Sequence, residues 1–430
     1  MAQKIIRDPV HDAIAFQLSN PLEKLLFDLV NSAEFQRLRR IRQLGLASLA
    51  YPGADHSRYS HSLGVMETAR KILAALRRGI AIEPEMEELC LIAALLHDLG
   101  HGPFSHVFER ISGVDHEAVT RRVILEPQSQ VHQVLGRYRT GLPQEVVGFM
   151  DCRPRRRFYH DILSSELDAD RCDYLLRDSL NTGSRYGDYD LNWLLHALVI
   201  DSAGDRLAVA HKGISAVEGF LQSRYHMYRN VYFHKVVRSA EGMVRLALQR
   251  AKRLAVQQRL AFPPPHHPLH QALTGQTLNM AQWVLLDDLT MLECFKAWSS
   301  GPDALLAGLC GGLLFRRLFK VIDLSHLQDA TVLDQVYQAA RQAVTDAGGD
   351  AAYELFLDEP GDTPYESFRP DGSCSGNGIT VCDAAGRAWD FAVLSPLSTA
   401  LAQPLVFRRL HVAEPRKAAV VQAIAAVMGP

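Results

Sequence analysis

The segment HDLGHGPFSH, which occupies residues 97–106, is the most informative stretch of the sequence for fold and function. It follows a nearly continuous apolar run from Leu89 to Leu96, and such a run predicts a helix that is buried on most sides. His97 and Asp98 then lie at the end of that helix, where adjacent side chains point about 100° apart and can both reach one ion. Glycines between the histidines allow close approach of the backbone. The segment therefore predicts a metal site at a helix terminus.

Two other segments offer further ligands to the same ion. His61 opens a helix that we expect over residues 62–79, and Asp170 lies within LDADRCDYLLRD, residues 167–178. Neutral imidazoles and carboxylates that converge from rigid elements suit divalent transition metals. Spacing alone leaves Asp168 as a competitor of Asp170 for the ligand role. We expect one divalent cation at these ligands, and the donor set is compatible with Mn, Fe, Ni, Co, Zn or Mg.

Two helical stripes combine charges with aromatic rings. The first stripe falls within one arc of about 100° and consists of Asp170, Arg171, Tyr174 and Asp178. The second, on a helix expected over residues 217–254, consists of Arg224, Tyr228, Tyr232 and Lys235. Cations beside aromatic rings suit a phosphorylated ligand that carries a sugar or a base. A salt-bridged surface or an ordinary packed helix gives similar stripes, so the stripes indicate function less specifically than the metal motif does.

Composition excludes several classes of protein. The chain has 430 residues, 47% of them hydrophobic, and a net charge of -2, which argues against nucleic acid as its main partner. No run approaches the roughly 18 apolar residues of a membrane span, and the N-terminus lacks the apolar region of a secretory signal. Seven cysteines without a Cys-x-x-Cys pair argue against a disulfide framework. We expect a cytoplasmic protein without a membrane partner.

We expect a mainly α protein with two regions. A helical core is predicted over residues 1–260, and a smaller mixed α/β lobe packed on that core over residues 261–430. The linker candidate between them is PPPHHP, residues 263–268. Further helices are expected over residues 86–96, from residue 164 or 165 to about 180, and over residues 417–428. Strands are expected over residues 378–382 and 388–394, after a loop over residues 358–377.

The motifs together resemble the HD-domain metal-dependent phosphohydrolases, with the motif region at residues 50–180. The resemblance is closest to the branch of deoxynucleoside triphosphate triphosphohydrolases. Segments that match this branch in order and spacing are residues 8–11, 35–45, 51–54, 61–65 and 316–320. The match covers roughly residues 4–325 well and the remainder loosely, and we expect no separate SAM domain. It implies metal-assisted attack of water at the α-phosphorus, with a deoxynucleoside and inorganic triphosphate as products.

The resemblance also implies a role for each site residue. The metal ligands would be His61, His97, Asp98 and Asp170. The reacting phosphate would be lined by His101, His106 and His116, with His106 as the proton donor to the leaving 5′-oxygen and Glu109 in the place of its supporting aspartate. The triphosphate would be bound by Arg58, Arg171 and Arg224, of which Arg171 replaces a lysine that is usual in this branch. The sugar and base would be bound by Gln43, Leu44, Tyr174, Asp178 and Tyr232. The second stripe adds Tyr228 and Lys235 to the substrate-binding set.

An effector nucleotide site is a further implication of the resemblance. The residues that match it are Lys4, Asn31, Gln36, Arg39, Arg316 and Lys320. Asn31 stands where this branch has an aspartate that reads guanine, and Arg7 stands where it has an asparagine. An asparagine accepts hydrogen bonds through one oxygen only. We therefore expect activation by a nucleotide other than GTP, or none, and a homodimer or homotetramer.

Two alternatives remain open. The chain could be an HD phosphohydrolase or phosphodiesterase that acts on another nucleotide. It could also be a nucleotide-sensing or nucleic-acid-binding protein with residual catalysis. The presence of all four expected metal ligands argues against the second alternative, because loss of a ligand is the signature of a degenerate site.

Overall fold

The chain begins with an antiparallel hairpin and continues mainly as helices. The computed structural model describes residues 3–260, 262, 267–365 and 378–429. The helices before residue 260 are α1 (Pro21–Val30), α2 (Ala33–Arg37), α3 (Arg58–Leu76), α4 (Pro84–Leu96), α5 (His106–Ser112), α6 (His116–Leu125), α7 (Gln130–Tyr138), α8 (Leu142–Met150), α9 (Arg157–Asp161), α10 (Ala169–Thr182), α11 (Leu191–Ala197), α12 (Ile214–Met227) and α13 (Lys235–Val256). The later helices are α14 (Pro268–Leu273), α15 (Met280–Val284), α16 (Asp288–Trp298), α17 (Ala304–Leu314), α18 (Ala330–Asp346), α19 (Phe391–Leu394), α20 (Ser398–Leu401) and α21 (Lys417–Met428).

The strands form small, separate sheets. They are β1 (Gln3–Asp8), β2 (Asp12–Gln17), β3 (Leu198–Ile200), β4 (Leu207–Ala210), β5 (Lys320–Asp323), β6 (Leu355–Asp358), β7 (Gly361–Asp362), β8 (Thr380–Cys382), β9 (Ala388–Asp390), β10 (Leu405–Val406) and β11 (Arg409–Val412). β1 pairs with β2, and β7 pairs with β10. β11 lies between β5 and β6 in an antiparallel sheet, whereas the sheet β3-β4-β8-β9 contains one parallel pair, β4 with β8. The prediction of a mainly α fold is confirmed.

The apolar core surrounds α3 and α4. Every residue from Leu89 to Leu96 in α4 is buried, which confirms the prediction of a helix enclosed on most sides. α3 packs against α4 on one side and against α10 on another. A second, smaller apolar cluster joins α18, α21 and the sheet β5-β11-β6. Helices α14 to α17 contribute to the apolar core around α3 and α4. The division of the chain into two regions near residue 260 stays a prediction.

Gly64 explains why α3 and α10 approach so closely. A Cβ atom at this position would overlap the side chains of Asp173 and Arg177 on α10. Since glycine has no side chain, the two helices can pack with their backbones near each other. This close packing brings His61 of α3 next to Asp170 of α10.

Three predicted helices have other bounds. The helix expected over residues 62–79 is α3, which begins at Arg58 and ends at Leu76. The helix expected to start at residue 164 or 165 starts at Ala169, because Asp168 is its N-cap and accepts a hydrogen bond from the Arg171 backbone N–H. The single helix expected over residues 217–254 is wrong. α12 ends at Met227, a π-helical turn follows over Tyr228–Tyr232, and α13 starts at Lys235.

The C-terminal predictions are partly confirmed. α21 and β8 lie where a helix and a strand were expected. The strand expected over residues 388–394 ends at Asp390, whose carboxylate accepts from the Ala392 backbone N–H and caps α19. Residues 263–266 of the linker candidate and residues 366–377 of the expected loop lie outside the described residues.

Within the part of the chain that the structure describes, no helix has both the length and the apolar character needed to cross a membrane.

Candidate metal centre and substrate cleft

Four side chains from α3, α10 and the end of α4 meet in one place. Nε2 of His61 lies 2.9 Å from Oδ1 of Asp170 and 3.8 Å from Oδ2 of Asp98. Nε2 of His97 lies 3.3 Å from Oδ1 of Asp98 and 3.8 Å from Oδ1 of Asp170. These atoms are imidazole nitrogens and carboxylate oxygens, the ligands that divalent transition metals take in proteins. The structure thus brings together the four residues predicted as metal ligands.

The hydrogen bonds of the two histidines fit a cation. Nδ1 of His97 donates to the Ala94 carbonyl oxygen at 2.9 Å, and its Nε2 is buried without a hydrogen-bond partner. Nδ1 of His61 donates to Asp173 Oδ2 at 2.8 Å. With a divalent ion bound, the second nitrogen of each ring would offer it a lone pair. Metal-binding histidines commonly have this arrangement, in which the outer nitrogen is fixed by a carboxylate or a carbonyl.

The local charge also favours a cation. Burial alone would lower the pKa of His61, but hydrogen bonds to Asp170 and Asp173 outweigh it and raise that pKa to about 10. Arg58 and the neighbouring histidines hold the pKa of Asp98 well below its usual range despite burial. Negative charge that stabilises a proton on His61 would equally stabilise a divalent ion, so metal binding and protonation compete here.

Asp168 has a different role from Asp170. Its Oδ1 accepts from the Arg171 backbone N–H at 2.7 Å, and its Oδ2 accepts from the Ser165 backbone N–H at 3.0 Å and from the Arg171 guanidinium. These bonds occupy the carboxylate at the N-cap of α10. Asp170, two residues further along, lies with Oδ1 2.9 Å from Nε2 of His61, and this geometry favours Asp170 as the metal ligand.

A buried ionic network behind His61 was not predicted from the sequence. Asp173 accepts from His61 and from Nε2 of His11 at 2.8 Å each. Arg177 donates to Asp173 at 2.8 and 2.9 Å and to Asp8 at 2.8 Å. The side chains of Asp173 and Arg177 are completely buried. The network fixes the His61 ring from behind, and the signal in the sequence was the third aspartate of the DADRCD segment, three residues after Asp170.

Histidines line the wall next to the metal ligands. The rings of His101 and His116 stack with centroids 4.0 Å apart, and Nε2 of His101 lies 3.2 Å from Asp98 Oδ1. Burial and the charge of Arg58 lower the pKa of His101 to about 3. Nδ1 of His116 lies 3.1 Å from a carboxylate oxygen of Glu109.

His106, the predicted proton donor, is the first residue of α5. Its side chain lies outside the described part of the structure. The role of His106 and the support that it was expected to receive from Glu109 therefore stay predictions.

Arg58 joins the metal ligands to the loop before α5. It donates to Asp98 and, through Nε at 3.0 Å and Nη2 at 2.8 Å, to the Ser105 hydroxyl. Phe104 and Ser105 have backbone φ values of 52° and 50°, which residues other than glycine rarely adopt. Asp288 of α16 stabilises this loop, since it accepts from the Phe104 backbone N–H at 2.8 Å and, through its other oxygen, from the Arg42 backbone N–H at 2.9 Å.

Gly100 is expected to tolerate no side chain. A Cβ atom there would overlap the backbone carbonyl of His116 and the backbone N–H of Thr120, to whose hydroxyl Gly100 donates at 2.9 Å. Gly100→Ala should push α6 away from the metal centre, destabilise the protein by about 1–3 kcal/mol and lower turnover. Urea unfolding and kinetics measure both effects. Gly136→Ala on an open face of α7 is the control, and it should keep activity and gain up to about 1 kcal/mol. Equal behaviour of the two variants would contradict this reasoning.

Two adjoining cavities extend from the metal centre. The larger has a volume of about 620 Å³ and is lined by the four predicted metal ligands, His101, His116 and Arg171. The smaller, of about 340 Å³, is lined by Leu44, Asp178, Tyr228 and Tyr232. Gln43, Arg58 and Tyr174 border both cavities. Most of the predicted substrate-binding residues therefore surround one continuous cleft, next to the predicted metal site.

Two polar residues of the cleft differ in their hydrogen bonding. Oε1 of Gln43 is buried without a hydrogen-bond partner and so can accept from a ligand. Both carboxylate oxygens of Asp178 are engaged, one by Nε2 of His56 at 2.7 Å and the other by the Tyr232 hydroxyl at 2.8 Å. His56 received no role from the sequence, because its partner lies on α10, more than one hundred residues away. It fixes Asp178 at the edge of the smaller cavity.

Two predicted substrate residues lie outside the cavity walls. Lys235 is exposed as the first residue of α13, because the π-helical turn separates it from the face that carries Tyr228 and Tyr232. The predicted four-residue stripe is wrong in this respect. Arg224 is buried behind Tyr228, where it donates to Glu166 at 2.7 Å. It would have to exchange that carboxylate for a phosphate in order to bind substrate.

The residues of the predicted effector site divide into separate groups. Gln36 accepts from Nε of Arg39 at 2.8 Å, and the Arg39 guanidinium lies 3.5 Å above the Tyr59 ring. Arg316 instead donates to a backbone carbonyl between α2 and α3, and Lys320 pairs with an acidic residue that precedes α21. Within one chain these residues do not converge as the metal ligands do.

The remaining effector residues lie near the N-terminus. Lys4 is exposed on β1. Asn31 follows α1, and its amide donates to a carbonyl oxygen in the last turn of that helix at 2.7 Å. It borders a surface groove between α1 and α7. The effector site stays a prediction.

Comparisons with known proteins agree with the site. The HD domain family matches residues 58–177, and the HD associated region matches residues 189–260. The uncharacterized protein YwfO of Bacillus subtilis is 39% identical over 373 residues, which cover 86% of this chain and 82% of that protein. A phosphohydrolase structure from Bacteroides thetaiotaomicron has a TM-score of 0.81 and 30% identity, with 96% of this chain and all of that chain covered.

A more distant relative carries a named activity. The deoxynucleoside triphosphate triphosphohydrolase SAMHD1 homolog of Dictyostelium discoideum is 32% identical over 272 residues. These residues cover 58% of this chain and 50% of that protein. This chain therefore spans about half the length of that relative.

Proposed function

The chain belongs to the HD-domain phosphohydrolase family, and on that premise we propose that it hydrolyses deoxynucleoside triphosphates. The products would be a deoxynucleoside and inorganic triphosphate. The observation that carries the proposal is the continuous cleft, in which a cavity rich in histidine, arginine and metal ligands adjoins a cavity walled by leucine and tyrosine. The first suits a polyphosphate and the second a nucleoside.

The arginines of the larger cavity support binding of the triphosphate. Arg58 and Arg171 border it, and each is fixed by hydrogen bonds to the protein. Fixed guanidinium groups bind phosphate oxygens with little loss of side-chain freedom. A divalent cation at the four ligands would neutralise further phosphate charge and lower the pKa of a water molecule.

The bond changes of the proposed reaction are limited to one phosphorus atom. The oxygen of water forms a bond to the α-phosphorus, and the bond from that phosphorus to the 5′-oxygen breaks. The 5′-oxygen must then gain a proton, for which we propose the imidazole of His106. The low pKa of His101 keeps its imidazole neutral, so it borders the phosphates without adding charge.

The smaller cavity supports selection of the sugar. Tyr174 and Tyr232 lie edge to face with ring centroids 6.2 Å apart. Packed against the sugar, these rings would leave no room for a 2′-hydroxyl. The unpartnered Oε1 of Gln43 offers an acceptor for the 3′-hydroxyl. We propose a deoxynucleotide over a ribonucleotide for these reasons.

Assembly and regulation complete the proposal. We propose a homodimer or homotetramer and a nucleotide effector, because the sequence resembles the deoxynucleoside triphosphate triphosphohydrolases and its arginines and lysines match an effector site of that branch. The cytoplasm remains the proposed location.

A substrate panel tests the proposal. The protein is incubated with each deoxynucleoside triphosphate and each ribonucleotide in Mn²⁺ or Mg²⁺, and the products are separated by chromatography. We expect triphosphate and a deoxynucleoside from the deoxynucleotides only. Release of orthophosphate, or of pyrophosphate with a nucleoside monophosphate, would contradict the proposal and favour the alternative of an HD enzyme that acts on another bond.

A further inference from the structure

The end of the smaller cavity whose lining the larger cavity does not share contains charged groups that the proposed reaction does not use. They are Arg110 of α5 and Arg238 and Glu241 of α13. We propose that Glu241 and Arg110 recognise the base of the substrate and select guanine. This inference rests on the proposed function, because it assumes that a nucleoside occupies the smaller cavity.

The direction of the nucleotide follows from the cleft. Gln43, Arg58 and Tyr174 border both cavities, so they mark the junction between the phosphates and the sugar. A base attached to that sugar extends into the smaller cavity, away from the metal ligands. Val237 and Val244 form apolar walls there, and Glu241 lies between them on the same face of α13. The edge of the base would therefore meet Glu241.

The Glu241 carboxylate is held in a fixed orientation. Nη1 of Arg238 donates to Glu241 Oε2 at 2.7 Å. Arg238 is itself held by Asp358 of β6, to which Nε donates at 3.0 Å and Nη2 at 2.6 Å. Burial raises the pKa of Glu241 above its usual value, although the charges of Arg238 and Arg110 act in the opposite direction. Among the described residues no hydrogen bond to Oε1 of Glu241 is made, which leaves this oxygen available to a ligand.

Arg110 supplies a donor at the same end. Its side chain is exposed and makes no hydrogen bond or ion pair within the part of the chain that the structure describes. The cavity end thus offers an acceptor on one side and a cationic donor on the other. A carboxylate and a guanidinium together can read both kinds of group on the edge of a base.

Guanine matches this pair better than the other bases do. A carboxylate has two acceptor oxygens side by side, and Oε2 keeps a second lone pair when it accepts from Arg238. Only guanine presents two adjacent donors, N1–H and the N2 amino group, and its O6 beside them can accept from Arg110. Adenine and cytosine present one donor next to an acceptor nitrogen, and thymine presents one donor between two carbonyl oxygens. Each of these would leave a carboxylate oxygen facing a lone pair, which costs binding.

A competition assay tests the inference. All four deoxynucleoside triphosphates are mixed with the protein and Mn²⁺ in one tube, and the loss of each is followed by chromatography. The ratios of consumption then report the ratios of kcat/KM, and any effector nucleotide acts on all four reactions alike. We expect dGTP to be consumed at least about tenfold faster than dATP, dCTP or dTTP, as one good paired contact to a base edge predicts.

Variants of the two residues sharpen the test. Glu241→Gln presents one donor and one acceptor, so it should lower the preference for dGTP over dATP and dCTP by about tenfold or more. Arg110→Ala should lower the dGTP preference as well, and its exposure makes a folding defect unexpected. Glu293→Gln removes an exposed carboxylate on α16 and serves as the matched control with unchanged ratios. Melting temperatures are measured for all three variants.

The outcomes separate this inference from the proposed function. If the unmodified protein consumes all four nucleotides equally, or if both Glu241→Gln and Arg110→Ala keep the original ratios, the inference is overturned. Release of triphosphate from any nucleotide in the same assay would still support the proposed function. Absence of triphosphate from every nucleotide would overturn the proposed function first, and the inference with it.

Discussion

Asp98→Ala is expected to remove the bound metal and to lower turnover at least about a thousandfold, while the fold persists. Asp98 lies at the end of α4 with its oxygens 3.3 Å from Nε2 of His97 and 3.8 Å from Nε2 of His61. Loss of the carboxylate removes one ligand and one negative charge, and the catalytic contribution of a metal amounts to several kcal/mol. Metal content per chain by plasma mass spectrometry and the rate of triphosphate release measure the two effects.

The structure suggests two companion variants for this experiment. Asp98→Asn keeps the side-chain volume and can still accept from Arg58, so it tests the charge of the ligand without leaving a cavity. Asp334→Ala removes an exposed carboxylate from α18 and should change neither metal content nor rate. Full activity of Asp98→Ala, with metal still bound, would show that the assignment of the metal site is wrong.

Arg177→Leu should cause the largest loss of stability among single substitutions near the site. The guanidinium is completely buried and neutralises Asp8 and Asp173, to which it donates at 2.8 to 3.2 Å. Without it, two buried carboxylates lose their cation, and breaking a buried ion pair in this way typically costs about 3–5 kcal/mol. Chemical unfolding monitored by circular dichroism measures the loss in the free energy of unfolding.

A surface arginine gives the matched comparison. Arg253→Leu on the exposed side of α13 should change the free energy of unfolding by less than about 0.5 kcal/mol. Metal affinity should also fall in Arg177→Leu, because Asp173 holds the ring of His61 and would no longer be fixed by its cation. A loss of stability below about 1 kcal/mol would mean that the network contributes little.

The cluster of candidate metal ligands could be predicted because its signals are local in the sequence. His97 and Asp98 follow an apolar run that is buried throughout in the structure. Asp170 could not be separated from Asp168 by spacing, since the residue at which the helix begins was unknown. The structure favours Asp170, because the N-cap bonds of Asp168 occupy its carboxylate. Helix bounds are set by such capping contacts, and the sequence offers several serines and aspartates that could make them.

The residues that sequence analysis missed are partners across long separations. Asp173 contacts His11, and Asp178 contacts His56, although each pair is separated by more than one hundred residues. No periodicity reveals such pairs, because they depend on how α10 packs against α3 and the turn between β1 and β2. Lys235 was misplaced for a related reason. A π-helical turn adds a residue to one turn of the helix, and the even spacing used for the stripe then no longer applies.

Hydrolysis in water enriched in ¹⁸O tests directly whether water attacks the α-phosphorus. The protein is incubated with Mn²⁺ and a deoxynucleoside triphosphate in this water, and the products are analysed by mass spectrometry. We predict one ¹⁸O atom in the released triphosphate and none in the deoxynucleoside, because attack at the α-phosphorus leaves the 5′-oxygen on the sugar. An ¹⁸O atom in the deoxynucleoside, in orthophosphate or in pyrophosphate would contradict the account.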